Sequence, residues 1–290
     1  MTDHDILLNN GVAMPLLGLG VFRTSSQEEM NQAVQWAWEA GYRSFDTAQM
    51  YGNEDLLGCA LQALALPRRS FFLTSKVNLG NTGYQRTLSS FQESLDRLQT
   101  DYLDLFLIHW PGQKRQRLAD TWRAMEELYA AGKVRAIGVS NCQPRHLDWL
   151  AADGTVVPAV NQVERNPQMN NNDLLAFCRS RGIQVEAWAP LRRGDLGSPA
   201  LLQLAEKYHR SPAQIILRWN VQSGVVVIPK SVHRERIVEN AAIFDFTLAA
   251  EDMALLDSLH TGVRTGSDPE THDYDDDGTV TCGVGAVSRP

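Results

Sequence analysis

Four polar side chains in the first third of the chain stand where apolar runs end. Asp46 closes YRSFD, Tyr51 follows five residues later, Lys76 nearly closes FFLTSKV, and His109 closes LDLFLIH. Spacings of 30 and 33 residues separate Asp46, Lys76 and His109, each about one strand-plus-helix unit. The three are therefore expected on adjacent strands at about one level, with Tyr51 folding back over the same end. A buried lysine is costly unless paired, and Asp46 is the anion at hand. The ammonium would in turn lower the pKa of a neighbouring phenol from about 10, making Tyr51 a proton donor and acceptor near neutral pH. His109 would add a neutral donor able to orient a carbonyl oxygen. Singly, these residues read as a structural ion pair, a rim aromatic and a core histidine. Together they suit protonation of an oxygen on which negative charge builds, and they imply no activated serine or cysteine.

Eight short apolar runs read as strands buried on both faces: Gly18–Phe22, Tyr42–Asp46, Phe71–Val77, Leu103–Trp110, Val134–Val139, Ala159–Val163, Gln184–Trp188 and Val225–Ile228. Segments of helical period lie between them, and Gly41, Gly132 and Gly182 stand at left-handed capping positions after three. Ser211-Pro212 restarts a helix, so Pro199 to Gln222 holds two, and Leu248 to Leu259 gives another. Such alternation within 290 residues predicts the α/β class and a closed (β/α)8 TIM barrel rather than an open doubly wound sheet. Asn10-Gly11 between apolar flanks predicts an N-terminal β-hairpin capping the barrel floor. Residues 1–265 form one barrel domain on this reading, and 266–290 form an acidic, glycine-rich tail that either drapes over the active-site mouth or is disordered.

Composition removes several functions. The net charge of −7 gives no basic footprint for nucleic acid. The longest apolar runs fall far short of the ~20 residues that span a bilayer, and MTDHDILLNN has no apolar signal core, so a cytoplasmic protein is expected. Cys59, Cys142, Cys178 and Cys282 form no C-x-x-C pair and read mostly as buried reduced thiols. Gly18-Leu19-Gly20 begins a dinucleotide fingerprint, but its sixth position is Arg23 and it opens a strand rather than following one. Asp273 to Gly278 fits half of a calcium loop, yet the twelfth position is Val284; a solvated acidic tail is the better reading, and no metal is expected.

Over residues ~6 to 265 the chain resembles the aldo-keto reductase family, particularly its bacterial short-loop members that reduce diketogluconate and methylglyoxal. The resemblance rests on GYRSFDTAQMYGNE, LTSKV and LFLIHWP, then AIGVSN, VNQVE, WAPL and IPKSVHRERIVEN in family order. It implies catalytic roles for Asp46, Tyr51, Lys76 and His109, and a nicotinamide cofactor extended across the barrel mouth. Ser140, Asn141 and Gln162 would hold its carboxamide. Trp188, followed by Ala189, Pro190 and Leu191, would stack on its ring. Lys230, Ser231 and Arg236 would bind a 2′-phosphate, and Glu239 and Asn240 the adenine, so NADPH/NADP+ is favoured over NADH. Two cations and a hydroxyl suit a dianionic phosphate. His109 and Trp110 would meet the substrate.

The resemblance thus implies NADPH-dependent reduction of small aldehydes, dicarbonyls such as methylglyoxal, or keto sugars, by a monomer. Net alcohol oxidation uses the same residues, and a redox-sensing regulatory barrel is an alternative from another class. Departures lie near the substrate end. Asn166 stands where many relatives have His, the segment GQKRQRLADTW after Pro111 is short and implies an open pocket, and six acids in residues 268–277 would penalise anionic substrates.

Overall fold

The computed structural model describes residues 4–275 and 277–282. Asp5–Leu7 (β1) and Ala13–Pro15 (β2) pair antiparallel, Ile6 opposite Met14, across a turn that takes Gly11 to a φ of 81°. Asn10-Gly11 therefore does turn a hairpin. Eight parallel strands follow: Leu19–Gly20 (β3), Ser44–Asp46 (β4), Phe72–Val77 (β5), Leu103–Ile108 (β6), Val134–Ser140 (β7), Val160–Glu164 (β8), Gln184–Trp188 (β9) and Val226–Val227 (β10). Each pairs with its neighbours in sequence. Backbone bonds from Gly18 N to Val227 O (2.8 Å) and Val227 N to Leu16 O (3.0 Å) join the last strand to the first, so the sheet closes into the expected barrel.

Helices Gln27–Glu39 (α1), Glu54–Ala63 (α2), Tyr84–Leu98 (α3), Arg115–Ala130 (α4), Pro144–Asp153 (α5) and Asn172–Ser180 (α6) fill the first six connections. Pro199–Tyr208 (α7) and Pro212–Gln222 (α8) share the seventh, and Arg234–Ala241 (α9) and Ala250–Ser258 (α10) follow β10. Ser211 opens α8, where the sequence restarts a helix, with its side chain on Gln214 N and the Gln214 side chain returned to Ser211 N, a reciprocal capping pattern. The end strands β3 and β10 are two residues each, shorter than their apolar runs. At that seam a Cβ on Gly20 would lie 3.0 Å from the Ile228 carbonyl oxygen, so glycine permits the close approach.

Alternating strand residues divide the core. Phe45, Phe106, Ile108, Ile137, Val139 and Val185 pack against the helices. Inside the barrel Phe72, Leu105, Leu107, Ala136, Val160 and Val226 meet Leu8 and Met14 of the hairpin, which plug the floor. The apolar filling stops one layer below the carboxyl ends of the strands, where polar side chains take over. Beyond α10 the chain turns back, and Asp273–Tyr274 (β11) pairs with Val280–Cys282 (β12). Residues 276 and 284 of the half calcium loop lie outside the described residues. Cys142 and Cys178 are buried, but Cys59 is exposed on α2, which corrects the expectation for that thiol.

Candidate active site

Asp46 ends β4 and Lys76 lies one residue before the end of β5, both almost fully buried. The ladder sets Asp46 opposite Thr74 and Lys76 opposite Leu107, so the catalytic candidates are staggered by two residues rather than level in register. The four-carbon stem of Lys76 spans the offset: its Nζ donates to Asp46 Oδ1 at 2.6 Å and to the Thr47 carbonyl at 2.9 Å. Burial alone would lower the Lys76 pKa; the Asp46 carboxylate and Tyr51 outweigh it and hold the ammonium above its ordinary value.

Tyr51 ends a single 3-10 turn, Gln49–Tyr51, behind β4. Lys76 Nζ lies 5.1 Å from its ring centre, close enough for its charge to favour the phenolate. The Tyr51 ring meets Phe22 at 4.9 Å and, edge to face, His109 at 5.6 Å. Contrary to expectation, its pKa is raised: burial disfavours the phenolate more than Lys76 favours it, and the Asp46 and Glu186 carboxylates add to burial. The phenol therefore holds its proton at neutral pH. Burial, with Lys76 nearby, pushes His109 well below the ordinary imidazole range, so its ring is neutral, and its Nδ1 meets no partner among the described residues.

Four further candidates lock together beside this set. Asn141, at a φ of 62° that asparagine tolerates, donates to the His109 carbonyl (3.0 Å) and to Ser140 Oγ (3.1 Å). Its Oδ1 accepts from Trp188 Nε1 at 2.8 Å, which fixes the half-buried indole at the end of β9. Ser140 Oγ donates to the Gln162 carbonyl at 2.8 Å. Both amide hydrogens of Gln162 are committed, one to Asp46 Oδ2 (2.9 Å) and one to Glu186 Oε2 (2.7 Å). Its Oε1 is thus the atom left to accept from a carboxamide NH2. Ala189 after Trp188 also has positive φ, 46°, and turns the chain through Pro190 and Leu191 away from the strand.

Lys230 and Arg236 are exposed on either side of the start of α9, whose N-cap His233 supplies no side-chain bond to its first N–H groups. Burial lowers the Lys230 pKa, with Glu29 opposing and Arg23 adding to it, so Arg23 stands nearby as another cation. Two cations at an uncapped helix start form a donor set suited to phosphate. Ser231 Oγ accepts from His233 N at 3.1 Å, and Glu239 Oε1 accepts from Ser211 Oγ. Asn240 is buried at the end of α9. These residues lie in the α8 to α9 region beside the seam, apart from the Asp46 to His109 cluster. Asn166 serves the framework: its Oδ1 and backbone close a turn on Met169.

Sequence reasoning missed three residues. Glu186, on β9 beside Gln162, is buried, and burial followed by the Asp46 charge raises its pKa to about 8. Its signal was present as an acid within an apolar strand. Arg23 was noticed only as a fingerprint failure. His272, whose ring packs on Trp110 at 4.3 Å, comes from the tail, and no local pattern marks it. The chain after residue 264 passes this end of the barrel: Glu164 Oε1 accepts from Thr265 N at 2.7 Å, and a Cβ on Gly266 would lie 2.6 Å from Trp188 Cη2.

Comparison with known proteins agrees with this geometry. The model of the Aldo/keto reductase family matches residues 16–261. A glyoxal reductase of Bacillus subtilis (strain 168) is 49% identical over 266 residues, covering 91% of this chain and 96% of its own. The methylglyoxal reductase DkgA of Salmonella typhimurium (strain LT2) is 43% identical over 268 residues, with 91% and 96% covered. The crystal structure of MGS-M4, an aldo-keto reductase from a Medee basin deep-sea metagenome library, superposes with a TM-score of 0.90 at 41% identity, covering 93% of this chain and all of that one. With family match, barrel and polar mouth in agreement, the chain belongs to the aldo/keto reductase family and is an oxidoreductase.

Proposed function

We propose that the protein is an NADPH-dependent carbonyl reductase that converts small aldehydes, dicarbonyls or keto sugars to alcohols. The observation that carries this reading is the buried Lys76–Asp46 pair, 2.6 Å apart, beneath a protonated Tyr51 and beside a neutral His109. The nicotinamide, when bound, supplies the hydride that goes to the carbonyl carbon. The protein's own residues manage the oxygen. His109 donates to it and orients it, and Tyr51 Oη hands over its proton as negative charge develops there. Lys76, held charged by Asp46, stabilises the phenolate that remains until solvent returns the proton.

Trp188, fixed through Asn141, offers a flat indole for the nicotinamide ring, and Gln162 Oε1 accepts from its carboxamide. Lys230 and Arg236, with Arg23 nearby, favour a 2′-phosphate and hence NADPH over NADH. Residues 266–275, which pass Trp188 and pack His272 on Trp110, would form one wall of the substrate pocket. The names of the glyoxal and methylglyoxal reductase relatives point the same way for the substrate.

The test is loss of reduced-nicotinamide absorbance across a panel of carbonyls, with NADPH and with NADH, for the wild type and Tyr51→Phe. Removing a general acid lowers kcat by about 100- to 10,000-fold. A variant with full activity refutes Tyr51 as donor, and NADPH binding without turnover of any carbonyl refutes the enzymatic reading in favour of a regulatory barrel.

A further inference from the structure

The tail brings to the mouth a side chain that the reaction above does not use. His272 is 5% exposed, its ring lies on Trp110, and neither of its ring nitrogens meets a partner among the described residues. His109 Nδ1 is likewise unpartnered, and the two imidazoles are close enough for charge on His272 to be felt at His109. Burying three imidazole nitrogens without partners is costly, so they are places where a ligand atom would be gained at little desolvation cost.

The segment holding His272 is tied down on both sides. Gln113 Nε2 donates to the carbonyls of Pro269 and His272, both at 3.0 Å, and Gln113 N donates to Asp273 Oδ1 at 3.1 Å. Arg145 pairs with Glu270 at 2.7 Å, and the buried Tyr274 donates its hydroxyl to the Trp110 carbonyl at 3.1 Å. The imidazole is thus presented against the Trp110 ring from a fixed backbone.

We propose that His272 binds substrate by hydrogen-bonding an oxygen on the carbon next to the reacting carbonyl, so that the site selects α-oxo and α-hydroxy aldehydes over simple alkyl aldehydes. This rests on the carbonyl-reductase reading above. With the reacting oxygen at Tyr51 and His109, an oxygen one carbon farther along Trp110, the neighbour of His109 in sequence, would lie toward the His272 ring that packs on that indole at 4.3 Å. Burial lowers the pKa of His272, with Asp273 opposing, so the ring is neutral and offers one N–H and one lone pair. That pair suits a carbonyl or hydroxyl. A carboxylate is disfavoured, because Asp268, Asp273 and Asp275 sit on the same segment.

His272→Phe keeps a ring on Trp110 and removes both nitrogens. The experiment compares kcat/KM, with NADPH, for methylglyoxal, glycolaldehyde and propanal; taking the variant-to-wild-type ratio for each substrate cancels aldehyde hydration. We expect about a tenfold fall on the first two and less than a twofold change on propanal, with part of the loss restored by His272→Gln. An equal fall on all three would reduce His272 to a packing residue and overturn the proposal, as would no fall at all. Nitrogen NMR of the imidazoles in the NADP+-loaded protein gives a reading independent of turnover. Hydroxyacetone, which keeps the second oxygen, should shift the His272 resonances, and 1-propanol should not. If the wild type reduces no carbonyl, the reductase reading fails, and the hydroxyacetone response still decides the role of His272.

Discussion

Glu186 offers a stringent test of the electrostatics drawn here. It is wholly enclosed, shares the Gln162 amide with Asp46, and has its pKa raised from 4.5 to about 8, by burial first and then by the Asp46 charge. Between those values the folded protein keeps a proton that the unfolded chain has released, so stability must fall as pH rises through the window. Histidines 109, 146 and 272, all pushed down by burial, act in the opposite direction, but only below the ordinary histidine pKa of 6.5. The buried thiols of Cys142 and Cys178, pushed upward, act only near pH 9 and above. The interval from pH 6.5 to 8 is left to Glu186. At about 1.4 kcal/mol per pH unit it should remove about 2 kcal/mol of unfolding free energy. Glu186→Gln keeps an acceptor for Gln162 and has nothing to titrate. Urea unfolding of both proteins at the two pH values should show a loss of about 2 kcal/mol in the wild type and under ~0.5 kcal/mol in the variant. If the variant loses stability as steeply as the wild type, Glu186 is not the buried acid described, and the link through Gln162 to Asp46 is wrong.

Asp46→Asn strips the anion from a fully buried ammonium and should cost about 3–5 kcal/mol in urea unfolding; a cost below ~1 kcal/mol would mean that water reaches Lys76. Gly138→Ala places a Cβ 2.5 Å from the Val160 carbonyl and 2.8 Å from Leu107 Cδ2 inside the barrel, and should destabilise by about 1–3 kcal/mol in chemical denaturation. Lys230→Met should weaken NADPH binding by about 10- to 100-fold, as loss of a charged hydrogen bond does, while sparing NADH. Fluorescence titration with both cofactors checks this, and an equal loss on both would show that Lys230 does not read the 2′-phosphate.

Sequence alone determined the parts of this protein that depend on local pattern. The period of apolar runs marked eight strands, since a parallel strand covered on both faces must be apolar throughout, and glycine and proline marked where helices stop and restart. Regular unit length then brought Asp46, Lys76 and His109 to one end of the barrel, because every strand of a (β/α)8 fold delivers its last residues to the same face. The short end strands were overestimated: Gly18–Phe22 and Val225–Ile228 are apolar throughout, but the seam at Gly20 and Ile228 pairs only two residues of each. Tertiary structure decided what depends on distance through space. Whether Lys76 lowers the Tyr51 pKa or burial raises it is a balance between charge and desolvation that spacing cannot weigh. Glu186 gains its meaning from Gln162 on the neighbouring strand, and His272 reaches Trp110 only because the tail folds back across 161 residues of intervening chain. No period or motif encodes such a return; it is set by which buried partners the tail finds once the barrel has formed.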